Sequence, residues 1–336
     1  MESEIQWGIM GNATIARNCV IGAIQKSRNG SLRALASRSP DTARDVVARH
    51  GIPELYGSYQ ALLDDSAVTA VYLPLPNHLH RPWTEKALAA GKHVLCEKPL
   101  ACNAEEAEAM AAAARQADRL LMEAFMYRFH PRSRRIKQMV EQGEIGATRL
   151  VRAAFCYHMG ADVLQTGVTP RLQTEMGGGA LLDVGCYGVS VARWLMNAEP
   201  MRVQAQASCH PSGADWHLVG SLYFGPRRLA VVEASFITAL QQTYSVVGDR
   251  GAIDLPHDAF IPWEKDAGFV LRGRDEETGT RQPIAGADQY QLMVEHFADA
   301  VLGRSALAYP PEESIANMRV LDALSRAARS GRCETV

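Results

Sequence analysis

Asp183 and Tyr187 are the two residues of this sequence best suited to proton chemistry. They stand four residues apart in a run that begins with three glycines at 177–179 and continues as an apolar helical pattern. This spacing places both side chains on one face of a helix, and the glycines let a ligand approach the backbone closely. A carboxylate and a phenol in apolar surroundings need polar partners. The run therefore predicts either a functional site or a structural Asp–Tyr pair bonded to backbone groups.

A second chemically rich motif is Glu97-Lys98-Pro99. It directly follows an apolar run at 93–96 that predicts a central buried strand. Lys98 is thus expected at the carboxyl end of that strand, where parallel sheets bind their ligands. Pro99 restricts the preceding residues to extended or turn conformations and permits a cis peptide bond. The alternative interpretation is an ordinary exposed lysine at a strand end.

A glycine-containing turn after the first predicted strand indicates a nucleotide site. The sequence from Gly11 to Ala16 is a degenerate form of the G-x-G-x-x-G/A fingerprint, in which Gly11 makes the tight turn and small alanines admit a pyrophosphate. The following helix offers backbone N–H groups and the positive end of its dipole to phosphates. Because the second glycine is replaced, an ordinary strand-to-helix turn is the alternative. The predicted contacts in this turn are Gly11, Asn12, Ala13, Thr14 and Ile15.

The end of the second predicted strand bears on which nucleotide binds. NAD-dependent enzymes usually carry an acid there, which binds the ribose 2′-hydroxyl. This sequence has Ser37 and Arg38 instead. Since a guanidinium suits a 2′-phosphate, we expect NADP(H) to be preferred over NAD(H).

A proline-bounded loop at residues 74–80 follows a further buried strand of the pattern. Its place at a strand end predicts cofactor contacts from Leu75, Pro76, Asn77 and His80. The two histidines of this loop have no Asp, Glu or Cys nearby to complete a metal site. No metal is therefore expected.

The distribution of apolar residues predicts two domains. From residue 5 to about 150, runs that are apolar at nearly every position alternate with helical patterns, as in a parallel sheet covered by helices. After about residue 147, strand-like segments follow one another through turns, which favours an open, mainly antiparallel sheet. The predicted fold class is α/β, with an N-terminal Rossmann domain built on a doubly wound parallel sheet (residues 1–125). A C-terminal α+β domain for substrate binding and oligomerisation follows (residues 126–336).

The composition is that of an ordinary globular protein. The chain has 336 residues, of which 47% are hydrophobic and 21% charged, and a net charge of −2. This balance gives no reason to expect nucleic acid or an anionic membrane as a partner. Seven cysteines without a C-x-x-C pair, no apolar run of bilayer length and an early first strand that leaves no room for a secretory leader predict a cytoplasmic protein.

Taken together, these motifs resemble those of the glucose–fructose oxidoreductase and inositol dehydrogenase family, often called Gfo/Idh/MocA. The resemblance rests on the degenerate glycine turn, on Glu97-Lys98-Pro99 and on residues 177–187, and residues 121–131 also fit. It is greatest to the branch with dimeric dihydrodiol dehydrogenases, D-xylose dehydrogenases and NADP-dependent sugar ketoreductases. The resemblance covers most of residues 5–200. It implies an NAD(P)-dependent oxidoreductase acting on a CH–OH or C=O carbon of a sugar, polyol or similar cyclic alcohol.

The resemblance also implies a role for each matching residue. Tyr187 would be the general acid/base, assisted by a catalytic Lys98 and by Asp183, which would orient the substrate or Tyr187. Glu97 would contact the nicotinamide ribose, and Arg171 the cofactor or the substrate. The chemistry agrees with these roles, because a nearby ammonium group favours the phenolate that a base requires.

Alternatives to a sugar dehydrogenase stay open at this stage. A non-catalytic NADP-binding regulator of the same fold is one, although it would not need Lys98, Asp183 and Tyr187 together. A trans-dihydrodiol is a substrate as compatible with the motifs as an aldose or a keto sugar. The expected assembly is a homodimer or a dimer of dimers, since family members commonly cover the open sheet with a second copy. Further polar or aromatic pocket candidates are Arg128, His130, His158, Asp162, Trp216 and Trp263.

Overall fold

The computed structural model describes residues 4–263 and 265–336. Its strands are β1 (Ile5–Met10), β2 (Gly30–Ala36), β3 (Glu54–Tyr56), β4 (Ala70–Leu73), β5 (His93–Cys96), β6 (Leu121–Glu123), β7 (Thr148–His158), β8 (Arg202–Cys209), β9 (Asp215–Tyr223), β10 (Leu229–Ser235), β11 (Ile237–Gly248), β12 (Gly251–Leu255), β13 (Ala267–Gly273), β14 (Thr280–Ile284) and β15 (Glu334–Thr335).

Helices are found in both halves of the chain. The α-helices are α1 (Ile21–Lys26), α2 (Pro40–His50), α3 (Tyr59–Asp64), α4 (His80–Ala89), α5 (Ala104–Ala117), α6 (Pro131–Glu141), α7 (Ala161–Thr166), α8 (Cys186–Met196), α9 (Gln289–Val301) and α10 (Pro311–Ser330). Two π-helical turns, Ala16–Val20 and Leu181–Gly185, directly precede α1 and α8. Short 3-10 turns lie at Asn77–Leu79, Met126–Phe129, Pro170–Leu172 and Thr174–Met176.

The chain forms two compact units, and each of them is built from two segments of the chain. The first unit contains the residues up to Phe129 together with Asp288–Ile315, and the second contains His130–Ala287 and Ala316–Val336. The sequence pattern predicts a single boundary at 125/126 instead. The difference arises because α9 packs on the first unit, as the following contacts show.

Helix α9 completes the core of the first unit. The ring of Phe297 lies 5.6 Å from that of Trp7 on β1. Next to it, the side-chain amide of Asn29 donates a hydrogen bond of 2.8 Å to the carbonyl of Glu295. Both Trp7 and Phe297 are fully buried, so this apolar contact favours packing of α9 here through the hydrophobic effect.

The first sheet has six parallel strands in the order β3-β2-β1-β4-β5-β6. This order reverses between β1 and β4, which defines the crevice where such sheets bind ligands beyond the carboxyl ends of the strands. Strand β4 is buried at every position, as expected for a strand with helices on both faces. The predicted doubly wound parallel sheet is confirmed.

The second sheet has nine strands in the order β14-β13-β12-β11-β7-β10-β9-β8-β15. Neighbouring strands are antiparallel except for β7 and β10, which run parallel. Helix α8 packs against β7 and β10 and so covers one face of the sheet. The predicted open, mainly antiparallel sheet is confirmed.

Local capping explains where two helices of the first unit begin. Asn103 accepts a 2.9 Å hydrogen bond from the backbone N–H of Glu106 at the start of α5, which is the standard N-cap interaction. Ser39 occupies the corresponding position before α2, but its side chain makes no capping bond. Pro40 supplies the first helical residue there, and Gly51 ends the helix with a left-handed conformation.

Candidate active site

Residues predicted to bind the cofactor line the carboxyl edge of the first sheet. Gly11 follows β1 and has a φ of +127°, a conformation that favours glycine. Its N–H donates to the carbonyl of Ala36, 2.9 Å away, and a Cβ placed on Gly11 would lie 3.0 Å from Cδ2 of Leu75. The side chain of Asn12 donates to the carbonyl of Thr42 at 2.9 Å. The turn is therefore closely packed between β2, α2 and the loop after β4.

Ala13, Thr14 and Ile15 lie where the following helix begins. The carbonyl of Ala13 accepts a hydrogen bond from the N–H of Arg17, and the Thr14 hydroxyl accepts one from the Arg17 guanidinium. The π-helical turn Ala16–Val20 then leads into α1. The first N–H groups of a helix have no partner within it, so this segment can present them to a phosphate.

The turn after β2 presents one guanidinium to solvent. Arg38 is exposed, whereas Ser37 is buried. The Ser37 hydroxyl donates to the carbonyl of Ser39 at 3.0 Å and accepts from its N–H at 3.2 Å. Ser37 thus shapes the turn, and Arg38 is the group of this pair that is open to an anionic ligand.

His80 has a different place from the one expected. It is fully buried, with Nδ1 2.9 Å from the carbonyl of Pro99 and Nε2 2.8 Å from that of Leu75. Burial lowers its pKa to about 4, so the ring is neutral near pH 7. His80 therefore joins the loop after β4 to the loop after β5, and its expected contact with the cofactor stays a prediction. Pro76 and Asn77 of the same loop are half-buried.

Glu97 and Lys98 follow β5 in a fixed conformation. The Tyr72 hydroxyl donates a 2.6 Å hydrogen bond to Oε1 of Glu97, and the N–H of Lys98 donates to Oε2 at 3.2 Å. Burial, followed by the charge of Glu97, raises the pKa of Tyr72 well above its usual value. The Lys98–Pro99 bond is cis, and Lys98 is half-buried. Tyr72 was not singled out by the sequence analysis, because one tyrosine in an apolar run looks like core.

In the second unit, the carboxylate of Asp183 receives two hydrogen bonds on the same oxygen. Nε of Arg171 donates to Oδ2 at 3.0 Å, and the hydroxyl of Tyr157 donates to it at 3.1 Å. The charge of Asp183 raises the pKa of Arg171, while burial, followed by that charge, raises the pKa of Tyr157. The Arg171 side chain is 57% exposed. The arrangement offers an ordered carboxylate and a solvent-accessible guanidinium, which together can accept and donate hydrogen bonds.

Tyr187 lies in an aromatic environment close to this group along the chain. Its side chain is almost fully buried, and its ring centroid is 5.3 Å from both Phe155 and Phe260. Phe155 and Tyr157 are two apart on β7 and hence share one face of the strand. The π-helical turn Leu181–Gly185 lies between Ala180 and α8. Asp183 and Tyr187 are therefore related by a wider turn than the regular α-helix expected; such turns are frequent at functional sites.

Gly178 explains why the Arg171 loop can approach this helix. A Cβ on Gly178 would lie 2.7–2.8 Å from the carbonyl oxygens of Pro170, Arg171 and Gln173. The adjacent N–H of Gly179 also donates to the carbonyl of Arg171, at 2.8 Å. The glycines admit a piece of the protein's own backbone here, and it is this contact that holds Arg171 beside Asp183.

The structure brings together Asp183 and Arg171, and it adds Tyr157 to them. Lys98 and the nucleotide-binding candidates belong to the first unit, whereas Asp183, Tyr187 and Arg171 belong to the second. Tyr157 lies near the end of a strand-like stretch of the sequence. Its phenol at that point was the only sequence feature that could have indicated a role in the site.

Two further pocket candidates have structural roles instead. Arg128 is buried, with its guanidinium 4.4 Å from the ring centroid of Tyr309 and 3.8 Å from the carboxylate of Glu313. His130 is buried as well and caps α6 by accepting the N–H of Arg132. The remaining four candidates are at least partly exposed and have no assigned role: His158, Asp162, Trp216 and Trp263.

The described residues offer neither a metal-binding cluster nor a membrane-spanning helix. Within residues 4–263 and 265–336, no three side chains of His, Cys, Asp or Glu are grouped so that they could hold a metal ion. Over the same described part of the chain, the helices are too short or too polar to cross a bilayer.

Comparison with known proteins identifies both halves of the chain. A family model described as "Oxidoreductase family, NAD-binding Rossmann fold" matches residues 5–125, and a model described as "GFO/IDH/MocA C-terminal domain" matches residues 133–254. D-xylose 1-dehydrogenase (NADP(+)) 2 of Haloferax volcanii is 38% identical over 330 residues, which cover 97% of this chain and 98% of that protein.

Two other similar proteins act on different alcohols or ketones by name. A trans-1,2-dihydrobenzene-1,2-diol dehydrogenase of Xenopus tropicalis is 32% identical, with 81% of this chain and 80% of that protein covered. Among solved structures, a 3-ketoreductase from Actinomadura kijaniata in complex with NADP and TDP-benzene matches with a TM-score of 0.89 and 30% identity. The match covers 96% of this chain and 98% of that one.

Proposed function

The chain belongs to the GFO/IDH/MocA family of oxidoreductases, and from this membership we propose that it is an NADP(H)-dependent enzyme that interconverts the CH–OH and C=O forms of a sugar, polyol or similar cyclic alcohol. The observation that carries the proposal is the ordered Asp183 carboxylate, which is bonded to Arg171 and Tyr157 and lies four residues before Tyr187 in the chain. Relatives named as a xylose dehydrogenase and a sugar 3-reductase support this substrate class.

NADP(H) fits the residues at the carboxyl edge of the first sheet. Gly11, whose φ of +127° favours glycine, would form the turn for the pyrophosphate, and the exposed Arg38 would bind the 2′-phosphate. Glu97, held by Tyr72, accepts a hydrogen bond from the nicotinamide ribose. When bound, the nicotinamide accepts or supplies the hydride.

The protein's own residues handle the proton. Tyr187 takes a proton from the alcohol during oxidation and returns it to the carbonyl oxygen during reduction. Lys98 is assigned the assisting role that the family resemblance implies, because an ammonium group can lower the cost of a phenolate. Asp183 accepts a hydrogen bond from a substrate hydroxyl, and Arg171 donates one, so that the reacting carbon is oriented.

A single substitution, Tyr187→Phe, tests this function. Wild type and variant are assayed by NADPH absorbance with D-xylose, D-glucose, a 3-keto sugar and a trans-dihydrodiol. Tyr187→Phe should leave NADPH affinity almost unchanged but lower kcat by about 100-fold or more, the lower range for an acid/base group. The matched control is Tyr223→Phe, on β9, which should keep wild-type kcat. A Tyr187→Phe variant with more than about half the activity would show that the proton takes another route, and turnover of the dihydrodiol alone would refute the sugar as substrate.

We also propose that the protein forms a homodimer or a dimer of dimers through its nine-stranded sheet. Val219, Leu229 and Val231 lie on the face of β9 and β10 that α8 does not cover, and each is more than a third exposed. Neighbouring apolar side chains on one open sheet face are typical of contact surfaces. A two-fold axis would bring this face against its own copy.

A further inference from the structure

Asp215 lies at the start of β9, and its side chain reaches the helix segment that carries the proposed catalytic residues. Its Oδ2 accepts a 2.7 Å hydrogen bond from the backbone N–H of Leu181. Burial raises the pKa of Asp215, while the N–H groups of Leu181 and Ala180 oppose that shift by stabilising the charged form. A half-buried carboxylate with backbone donors is what an N-terminal cap requires.

The helix segment has no cap of its own. Ala180 occupies the N-cap position before the turn Leu181–Gly185, and it has no side-chain hydrogen-bonding group. The first N–H groups of a helix need an external partner. Asp215, 34 residues further along the chain, provides that partner, and its negative charge is favourable at the positive end of the helix dipole.

Gly179 leaves the space that this carboxylate occupies. It has a φ of +119°, and a Cβ placed on it would lie 2.1 Å from Oδ1 of Asp215. A side chain at position 179 would therefore displace the carboxylate from the helix start. The third glycine of the run at 177–179 is therefore explained by the space that the Asp215 carboxylate occupies, and not by the approach of a ligand.

The turn that leads into Asp215 also fixes the loop that carries Arg171. Nε2 of His210 is 2.9 Å from the carbonyl of Leu164, and the Ser212 hydroxyl donates to the carbonyl of Leu172 at 2.5 Å. The turn between β8 and β9 thus contacts the loop that carries Arg171. It also leads into Asp215, which contacts the helix segment that carries Asp183.

We propose that Asp215 is a positioning residue of the enzyme: by capping the helix start at Leu181, it fixes Asp183 and Tyr187 in the geometry that the reaction needs. The proposal rests on the proposed function, because it takes these two residues as those that touch the substrate. Asp215 itself acts through the backbone and exchanges no proton with the substrate.

Two variants of the full chain, Asp215→Ala and Asp215→Asn, test the proposal by hydrogen exchange and kinetics. Asp215→Ala should speed amide exchange in residues 181–187 by at least about 10-fold, since a lost charged hydrogen bond of about 1.5 kcal/mol or more opens the helix start. It should lower kcat by a similar factor and leave NADPH affinity unchanged. Asp215→Asn keeps one carbonyl acceptor and should recover part of both effects. If Asp215→Ala does not fold, Asp215→Asn decides: it should show a smaller but measurable increase in amide exchange in residues 181–187 and a smaller but measurable decrease in kcat.

The control is Asp254→Ala, which removes a carboxylate paired with Arg272 on the same sheet, away from α8. It should change neither exchange in residues 181–187 nor kcat. Unchanged exchange in Asp215→Ala would overturn the proposal. Faster exchange with unchanged kcat would also overturn it, since the geometry would then be irrelevant to turnover. Failure of the proposed function is a separate result, because it would appear as an active Tyr187→Phe variant even if exchange responds to Asp215.

Discussion

Asp183 owes its position to two side chains that lie far from it in the sequence. Arg171 is 12 residues away and Tyr157 is 26 residues away. Each bond adds a donor to an anion, and hydrogen bonds to charged groups contribute about 1.5–3 kcal/mol. The cost of keeping the largely buried Asp183 carboxylate charged is therefore offset within the second unit.

Arg38 is the residue on which cofactor choice should depend. Arg38→Ala should weaken NADPH binding by about 10-fold or more, because a charge-assisted contact to the 2′-phosphate is lost, and should change NADH binding little. Titration of both dinucleotides into wild type and variant measures this. Arg49→Ala, an exposed arginine at the other end of α2, serves as the control. Equal affinities for NADPH and NADH in the unmodified protein would contradict the preference.

Glu123 should make stability fall as the pH rises. It is 1% exposed, and its Oε1 accepts the N–H of Leu100 at 2.9 Å. Burial raises its pKa to about 7, against roughly 4.3 for an unfolded chain. Between these values the folded state binds more protons than the unfolded state, so the free energy of unfolding decreases with rising pH.

Glu123→Gln removes that titration while keeping an acceptor for Leu100. Between pH 4.5 and pH 8, the free energy of unfolding of the variant should therefore rise relative to that of wild type by up to about 3 kcal/mol. Urea midpoints at the two pH values measure the shift, with the exposed Glu54→Gln as control. Parallel pH profiles for wild type and Glu123→Gln would show that Glu123 is ionised in the folded protein across this range.

The sequence selects single residues only where a motif fixes their neighbours. The spacing of Asp183 and Tyr187 was sufficient to select them, and whether they carry the chemistry stays a prediction. Tyr157, Asp215 and Tyr72 could not be found in this way, since each is defined by a partner distant in sequence. His80 was assigned to the cofactor because its position in the loop was known, whereas its burial was not.

At the scale of elements, the glycines divide into those with and those without room for a side chain. Gly178 has three backbone oxygens within 2.8 Å of an added Cβ, whereas Gly22 in α1 has no atom within 4 Å of one. Backbone oxygens cannot move aside cheaply, so the two sites should respond in opposite directions to the same substitution.

Gly178→Ala should lower the free energy of unfolding by about 1–3 kcal/mol, the usual cost of overpacking, and should reduce activity by moving the Arg171 loop. Gly22→Ala should raise it by about 0.5–1 kcal/mol, because alanine favours a helix over the unfolded chain. Denaturant titration of both variants gives the comparison. A stabilising Gly178→Ala would mean that the loop does not lie where the structure has it.

Buried elements were easier to predict than edge elements. Strands β1 and β5 begin and end as predicted, because uninterrupted apolar runs mark strands covered on both faces. Strands β13 and β14 were not predicted. They form one edge of the second sheet, and β14 reads Thr-Arg-Gln-Pro-Ile with no buried position. Pairing with a neighbour, which sequence alone does not show, makes this segment a strand.

At the scale of the whole molecule, the open sheet face should determine assembly. The exposed fractions of Val219, Leu229 and Val231 are 43%, 48% and 37%. Val231→Asp puts a charge in the centre of this face and should convert a dimer into a monomer at micromolar concentration. Sedimentation velocity measures the change, with Val168→Asp, at an 83% exposed loop position, as control. A wild-type protein that sediments as a monomer would refute the dimer.

The discontinuous first unit has a consequence for synthesis on the ribosome. Phe297, which packs against Trp7, is made only after residues 130–287 of the second unit have been synthesised. At translation rates of about 5–20 residues per second, that delay is on the order of ten to thirty seconds. During this time the surface around Trp7 stays uncovered in the nascent chain. The first unit begins the polypeptide but cannot finish folding until Asp288–Ile315 has been made, and in the meantime chaperones have an apolar surface to bind.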